Sequence, residues 1–330
     1  MSRIPPRLPR LLPALLCLVL AACTAASSAA MDPMPPGTDP RGILLVANLR
    51  SSDVSVLDAA SGRELARLPV AWNPHELLAL PDGSVLVSNY RSDAVTLLLP
   101  DPWRVAAVHP AAGAPHGLAL TPAGRVLLTL GTGDALAVLR PDGETAALVP
   151  VGAHPHAVAV SPDGRLAYVA NGRSDTLSVV DLEAGREVAA VPVGAVPESV
   201  AVTPNGRLVL TANAGSGDVS VVDAAARREV RRIPVGGRPV RVALTPDGRT
   251  VLAAESAEST LTLASVADGA VLGRIPVGSR PDGIAVDASG RWAYVTGNGD
   301  NSVTVVDLAA RRAVRTFAAG DGPSGILLLP

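Results

Sequence analysis

A proline recurs at positions 74, 115, 155, 197, 239, 281 and 323, and the sequence around it recurs with it. The intervals are 41, 40, 42, 42, 42 and 42 residues. Repetition at this period limits the chain to architectures that stack one supersecondary unit on the next. Within the unit that begins at Pro155, His156–Ser161 reads as a first strand and Pro162-Asp163-Gly164 as a tight turn. Pro presets φ at one turn position, and Gly tolerates positive φ at another. Arg165–Ala170 follows as a second strand, Asn171–Asp175 as a loop, Thr176–Asp181 as a third strand and Glu187–Val193 as a fourth. Alternation in the outer strands and a nearly continuous apolar first strand fit sheets stacked face to face.

The two ends of the repeat region complete each other. After Pro323 the chain supplies one strand, Ser324-Gly325-Ile326-Leu327-Leu328-Leu329, and stops where other units have their turn. Residues 41–73 supply the second, third and fourth strands of a unit, and with residues 323–330 they make one repeat length. An open solenoid has no need of this, whereas a closed ring does. The expectation is an all-β, seven-bladed propeller of four-stranded blades over 41–330, with the C-terminal strand completing the N-terminal blade, and monomeric as a ring.

Tyr294-Val295-Thr296, Ala167-Tyr168-Val169-Ala170-Asn171, the Ser-Val-Val-Asp stretches, Ile-Pro-Val-Gly and Pro-Asp-Gly-Arg together resemble the YVTN-family (YncE-like) β-propeller repeat over about residues 41–330. The resemblance implies the propeller fold and a secreted or cell-surface setting. Related propellers include lactonases, haem-binding domains and subunits of periplasmic dehydrogenases, and fold alone does not choose among them.

The first 40 residues have a different composition. Residues 1–10 carry Arg3, Arg7 and Arg10, and residues 11–22 are apolar but too short to span a bilayer as a stable helix. This is the layout of a secretory signal. It ends in Leu20-Ala21-Ala22-Cys23, which resembles a bacterial lipobox, so residues 1–22 read as a lipoprotein signal and Cys23 as the lipidated residue. Residues 23–40, small and Pro-rich, read as a tether. Several acyl chains on one residue hold a protein at a membrane. The implied location is the cell envelope, extracytoplasmic and anchored on the periplasmic face or at the outer membrane. With Cys17 in the signal and Cys23 lipidated, the body has no thiol for a disulfide, a metal or catalysis.

Composition excludes one class of partner. All 28 basic residues are Arg, set against 30 acids, for a formal charge of −2. Removing the three signal arginines makes it −5. Aromatic residues are 2% of the chain. A nucleic-acid binder needs a basic surface or stacking rings, so nucleic acid is not an expected partner.

The residue after each aligned proline is His75, His116, His156, Glu198, Val240, Asp282 or Ser324. These positions open the innermost strands and should ring one mouth of the central channel. His75, His116 and His156 fall on consecutive blades, and His154 lies two residues from His156. Three or four converging imidazoles suggest a divalent metal site, with Glu198 and Asp282 orienting them. The same set also suits a small anionic ligand, or simply a wet channel. Loops between second and third strands bring Arg50, Arg91 and Arg173 to this face, where they could clamp a carboxylate or phosphate. Asn48, Asn89, Asn171, Asn213 and Asn298 end second strands and are expected to shape the turn through their own backbone. Asp58, Asp181, Asp223 and Asp307 close third strands and should accept hydrogen bonds from the following turn.

No nucleophile elbow, zincin, phosphate-loop or paired-cysteine motif occurs. The first reading is a non-catalytic binding or interaction module for an envelope protein or small ligand. The second is a lactonase-like or metal-assisted hydrolase using His75, His116, His156 and Glu198. The third is an accessory to periplasmic redox enzymes that binds a haem or metal; with no Cys-x-x-Cys-His, covalent c-type haem is excluded.

Overall fold

The computed structural model describes residues 40–140 and 145–330. The signal, Cys23 and all but the last residue of the tether lie outside the described residues. No helix among the described residues is long and apolar enough to cross a membrane.

The described chain forms seven four-stranded antiparallel sheets, the blades of a propeller. The repeat at 155 shows how they are made. Its strands are β12 (Pro155–Val160), β13 (Leu166–Asn171), β14 (Thr176–Asp181) and β15 (Arg186–Pro192), within one residue of the sequence reading at each start. The turn at Pro162-Asp163-Gly164 has Gly164 at φ 72°, the region where glycine pays no steric penalty. Its N–H donates to the Ser161 carbonyl at 2.8 Å, while Asp163 accepts from the Ser161 hydroxyl and the Arg165 N–H.

The ring closes as the sequence arithmetic requires. β28 (Pro323–Leu329) pairs with β1 (Ile43–Asn48), followed outward by β2 (Asp53–Asp58) and β3 (Glu64–Pro69). Ile43 lies opposite Leu329 and Val46 opposite Ile326. Arg50 fastens this junction: its guanidinium donates to Asp321 (2.9 Å), to the Asn298 side chain and carbonyl, and to Asn301 (3.0 Å).

The core lies between blades rather than within them. Tyr168, Leu177 and Val179 of one blade pack on Val200, Val209 and Val222 of the next. At the closure, Leu44, Val46 and Leu57 pack on Trp292, Tyr294, Val303 and Val305. β-branched and aliphatic side chains suit such pleated interfaces, which is how a chain with so few rings fills seven of them.

Two local expectations have different outcomes. Asp58, Asp181, Asp223 and Asp307 accept main-chain N–H groups from the turns that follow, as expected. The asparagines do something else. Asn48, Asn171 and Asn213 are buried and donate across the strand pair to the hydroxyls of Ser55, Ser178 and Ser220 at 2.8–3.0 Å. A buried amide needs partners, and the third strand supplies them nearer than the residue's own turn.

Candidate binding site at the channel mouth

The first strands of the blades are β4 (Pro74–Ala79), β8 (Pro115–Leu120), β12, β16 (Pro197–Val202), β20 (Pro239–Leu244), β24 (Pro281–Val286) and β28. Each begins beside the loop between second and third strands. Gly172 N–H bonds the His154 carbonyl, Ala214 that of Val196, and Asn298 that of Arg280. The residue before the aligned proline is left-handed in several blades, including His154 (φ 55°), Val196 (54°) and Arg280 (51°). For a β-branched residue such as Val196 this conformation is costly, so the loop bonds must hold it.

A second device sets the mouth residues. Pairing of first and second strands is interrupted just after the proline, between Pro74 and Leu77, Pro115 and Leu118, and Pro281 and Ile284. A hydroxyl on the second strand fills each gap. Ser88 accepts from Glu76 N–H and donates to the His116 carbonyl at 2.6 Å. Thr129 accepts from Gly117 N–H at 2.7 Å and donates to the His156 carbonyl at 2.9 Å. Thr296 does the same between Gly283 N–H and the Ser324 carbonyl. Each hydroxyl thus ties one blade's bulge to the mouth residue of the next. The approach is close: a Cβ on Gly325 would lie 2.1 Å from the His75 carbonyl oxygen.

His75, His116 and His156 come together, as expected from their spacing. They pack ring against ring, neighbouring planes tilted by 44–46° and His75 edge-on to His156 at 90°. His116 lies between the other two, 3.7 Å from each by ring centroid, and His75 and His156 are 5.9 Å apart. His154 stands 5.9 Å beyond His156, and Tyr90 meets the edge of His116 at 5.6 Å. Among the described residues, no group of three or more His, Cys, Asp or Glu is arranged to hold a metal ion. Burial holds His75 and His116 well below the usual imidazole range, and the positive charge each ring would meet adds to this. Burial, with Arg241 nearby, brings His156 down to about 3. The stack is therefore uncharged at neutral pH. The Nδ1 of His156 faces the main-chain carbonyl of Glu198 at 2.9 Å. Those of His75 and His116 are buried without a partner.

Beside the stack is a group that position-by-position reading of the repeat missed. Arg241 pairs with Glu76, which lies on a blade across the channel, and its other Nη stands 3.8 Å from Asp282. Burial opposes the charge on Arg241, but Glu76, Asp282 and Glu198 outweigh it and hold the guanidinium above its usual range. Burial pushes Glu76 up against the pull of Arg241. Glu198 is raised by burial as well and is bonded by Arg238 at 2.7 Å. A cavity of about 300 Å³ opens here. Arg238, Arg241 and Arg280 line it with Glu198, Asp282 and the rings of His75 and His156.

A signal for Glu76 and Arg241 was present. Two residues after the aligned prolines stand Glu76, Gly117, Ala157, Ser199, Arg241, Gly283 and Gly325. Five are small and two are long and opposite in charge.

A family model described as the YNCE-like beta-propeller matches residues 6–330. The chain belongs to this YncE-like β-propeller family. Solved propellers resemble it in fold. A functionally unknown protein from Desulfotomaculum acetoxidans DSM 771 superposes with a TM-score of 0.76 at 14% identity, covering 87% of this chain and 98% of that one. Kuenenia stuttgartiensis hydrazine synthase gives 0.69 at 22%, covering 76% and 88%. The dihydro-heme d1 dehydrogenase NirN, in complex with DHE, gives 0.67 at 18%, covering 90% and 78%. No curated protein matches the chain.

Of the other arginines singled out from this YncE-like sequence, Arg50 is engaged in the closure bonds described above. Arg91 stacks on Trp72 with its guanidinium carbon 5.4 Å from the ring centre. Arg173 stands by His154 and disfavours its protonation, after burial. None of the three lines the cavity; the guanidinium groups there are those of Arg238, Arg241 and Arg280.

Proposed function

We propose that this chain is a lipid-anchored extracytoplasmic binding protein that takes a small polar ligand at the mouth of its propeller channel. One observation carries the reading. Four buried polar atoms around the mouth have no partner: Nδ1 of His75, Nδ1 of His116, Nε of Arg241 and Oγ of Ser324. They sit on four different blades; His75 and Arg241 line the cavity described above, and His116 packs behind His75. Buried polar groups are normally satisfied, so a cluster of unsatisfied ones around one mouth suits a ligand whose entry shifts the lining enough to reach them. His116 is 4% exposed and Ser324 0%, so bulk water does not serve them freely.

The same geometry favours binding over hydrolysis. A His–Glu acid–base pair needs the carboxylate on the ring nitrogen. Here His156 meets the carbonyl of Glu198, and the carboxylate is taken by Arg238. Anchoring rests on Cys23 and the signal before it.

Two measurements test the proposal. In cells, acyl labelling and membrane fractionation should find the wild type lipidated and sedimenting with membranes, and Cys23→Ser unlabelled and released. In vitro, a thermal-shift screen of small polar metabolites, with Zn²⁺, Cu²⁺ and lactones included, should find a ligand that stabilises the wild type but not His116→Ala. Turnover of a lactone, or an unlabelled soluble wild type, would overturn the corresponding half of the reading.

A further inference from the structure

We propose that Arg238 is a movable gate over the mouth cavity, carried on a hinge at Gly236-Gly237 and latched on Glu198. The inference rests on the binding reading above and names how that site opens to its ligand.

The hinge differs from the same loop in the other blades. The residue before the aligned proline is left-handed at Asn73, Ala114, His154, Val196, Arg280 and Gly322, with φ between 51° and 69°. Arg238 departs from this: there the left-handed residues are Gly236 (φ 90°) and Gly237 (φ 50°), and glycine moves through such conformations without a steric penalty. Bonds that fix this loop elsewhere are missing as well. Asp93, Asp134, Asp175 and Asn301 accept the N–H of Ala114, His154, Val196 and Gly322 at 2.8–2.9 Å. The corresponding place before Arg238 is held by Gly217, which has no side chain to accept. In the Val196 loop a second main-chain bond runs from Gly215 N–H to the Ala195 carbonyl. Here Gly237 N–H donates instead to the half-exposed carboxylate of Glu258 at 3.1 Å, and one main-chain bond, from Ser256 N–H to the Arg238 carbonyl, remains.

What the hinge carries lies over the cavity. Arg238 and Glu198 both line it, and their side chains meet at 2.7 Å. The Arg238 side chain is 57% exposed and that of Glu198 15%, so the guanidinium lies outermost with the carboxylate beneath it. An ion pair with one well-exposed partner is held loosely, because solvent screens it. Swinging Arg238 off Glu198 takes rotation at two glycines. It leaves the Glu198 carboxylate open to an entering molecule, and with it the His156 ring that meets the Glu198 carbonyl. The other arginines of the cavity lack this freedom: Arg241 is paired with Glu76 from within β20, and Arg280 keeps the common loop form.

The test uses the full-length chain in detergent at pH 7 and needs no ligand. Amide hydrogen exchange over 235–238, corrected for intrinsic rates, should be at least about tenfold faster than over the equivalent loops 193–196 and 277–280. Diethyl pyrocarbonate is the access probe, read residue by residue by mass spectrometry, with the exposed His109 as control. Arg238→Met, which removes the latch, should speed modification of His156 by about threefold or more. Gly217→Asp with Gly237→Ala, which gives this loop the cap and backbone of the Val196 loop, should slow it by a similar factor. The rate at His109 should stay the same in both. Thermal melting confirms that the variants fold, and the exchange comparison stands on the wild type alone. Equal exchange in the three loops, or a His156 rate that Arg238→Met leaves unchanged, would overturn the gate. Both effects present, with no ligand found in the screen, would sink the binding reading and leave the hinge standing.

Discussion

The ring centroid of His116 lies 3.7 Å from that of His156, so that neither imidazole can take a proton without presenting its charge to the other. Burial supplies the larger part of the penalty. In the unfolded chain both titrate near the ordinary value of about 6.5. Below that pH the unfolded state binds protons that the folded state refuses, and stability falls as pH falls. The window runs from about 6.5 down to about 3, where His156 titrates in the fold. Thermal melting from pH 7.5 to 4 should therefore show a steep loss of stability that begins near 6.5. Replacing His75, His116 and His156 together by Gln should flatten the slope over that range. An unchanged slope would mean that carboxylates alone set it.

Arg241 and Glu76 form a partly buried ion pair across the channel. Removing one partner leaves the other charged and short of solvent, at a cost of about 1–3 kcal/mol. Arg241→Met should therefore lower the urea midpoint strongly, and Arg241→Met with Glu76→Gln should recover a good part of the loss. A double-mutant cycle in urea measures this. Additive effects of the two changes would show that the pair does not interact.

The hydroxyl of Thr129 bridges Gly117 N–H to the His156 carbonyl. Thr129→Val keeps the volume and leaves both groups buried without that partner, which should destabilise by about 1–3 kcal/mol. The exchange of the Gly117 amide should quicken with it, and ligand affinity at the mouth should drop because His156 loses its support. Amide hydrogen exchange and chemical denaturation check the two effects.

Arg50 joins the N-terminal blade to the loops of the blade before it. Arg50→Ala should cost about 1–2 kcal/mol, since three of its four bonds are to uncharged groups and its carboxylate partner is exposed. The loss should appear first as faster exchange along the edge where Val46 meets Ile326. Exchange that quickens evenly in all blades would argue against a local closure role.

The strands, turns and closure were legible because they depend on neighbours in sequence. Pro162-Asp163-Gly164 makes its turn wherever it stands, and alternation sets which face of each strand is buried. The stacking of His75, His116 and His156 was half legible. Spacing put them on consecutive blades at one mouth, but whether rings converge or stack depends on side-chain packing. The bulge after each proline had no such local mark. It turns a second residue, Glu76 or Arg241, toward the channel, and it is filled by Ser88, Thr129 or Thr296 from another strand.

The recurring proline and its 40- to 42-residue interval thus determined the number of blades, their strand order and the place where the ring joins. These follow from local propensities and from the need of each apolar sheet face for a neighbour. What only the tertiary structure decided is the chemistry of the mouth. Arg241 meets Glu76 although 165 positions separate them in the chain; blade order puts their blades on opposite sides of the ring, but whether the side chains reach each other depends on the width and packing of the channel. Arg238, Arg241 and Arg280 line the cavity, and Arg50, Arg91 and Arg173 do not. Ring closure brings distant first strands together, and charge then pairs across the gap.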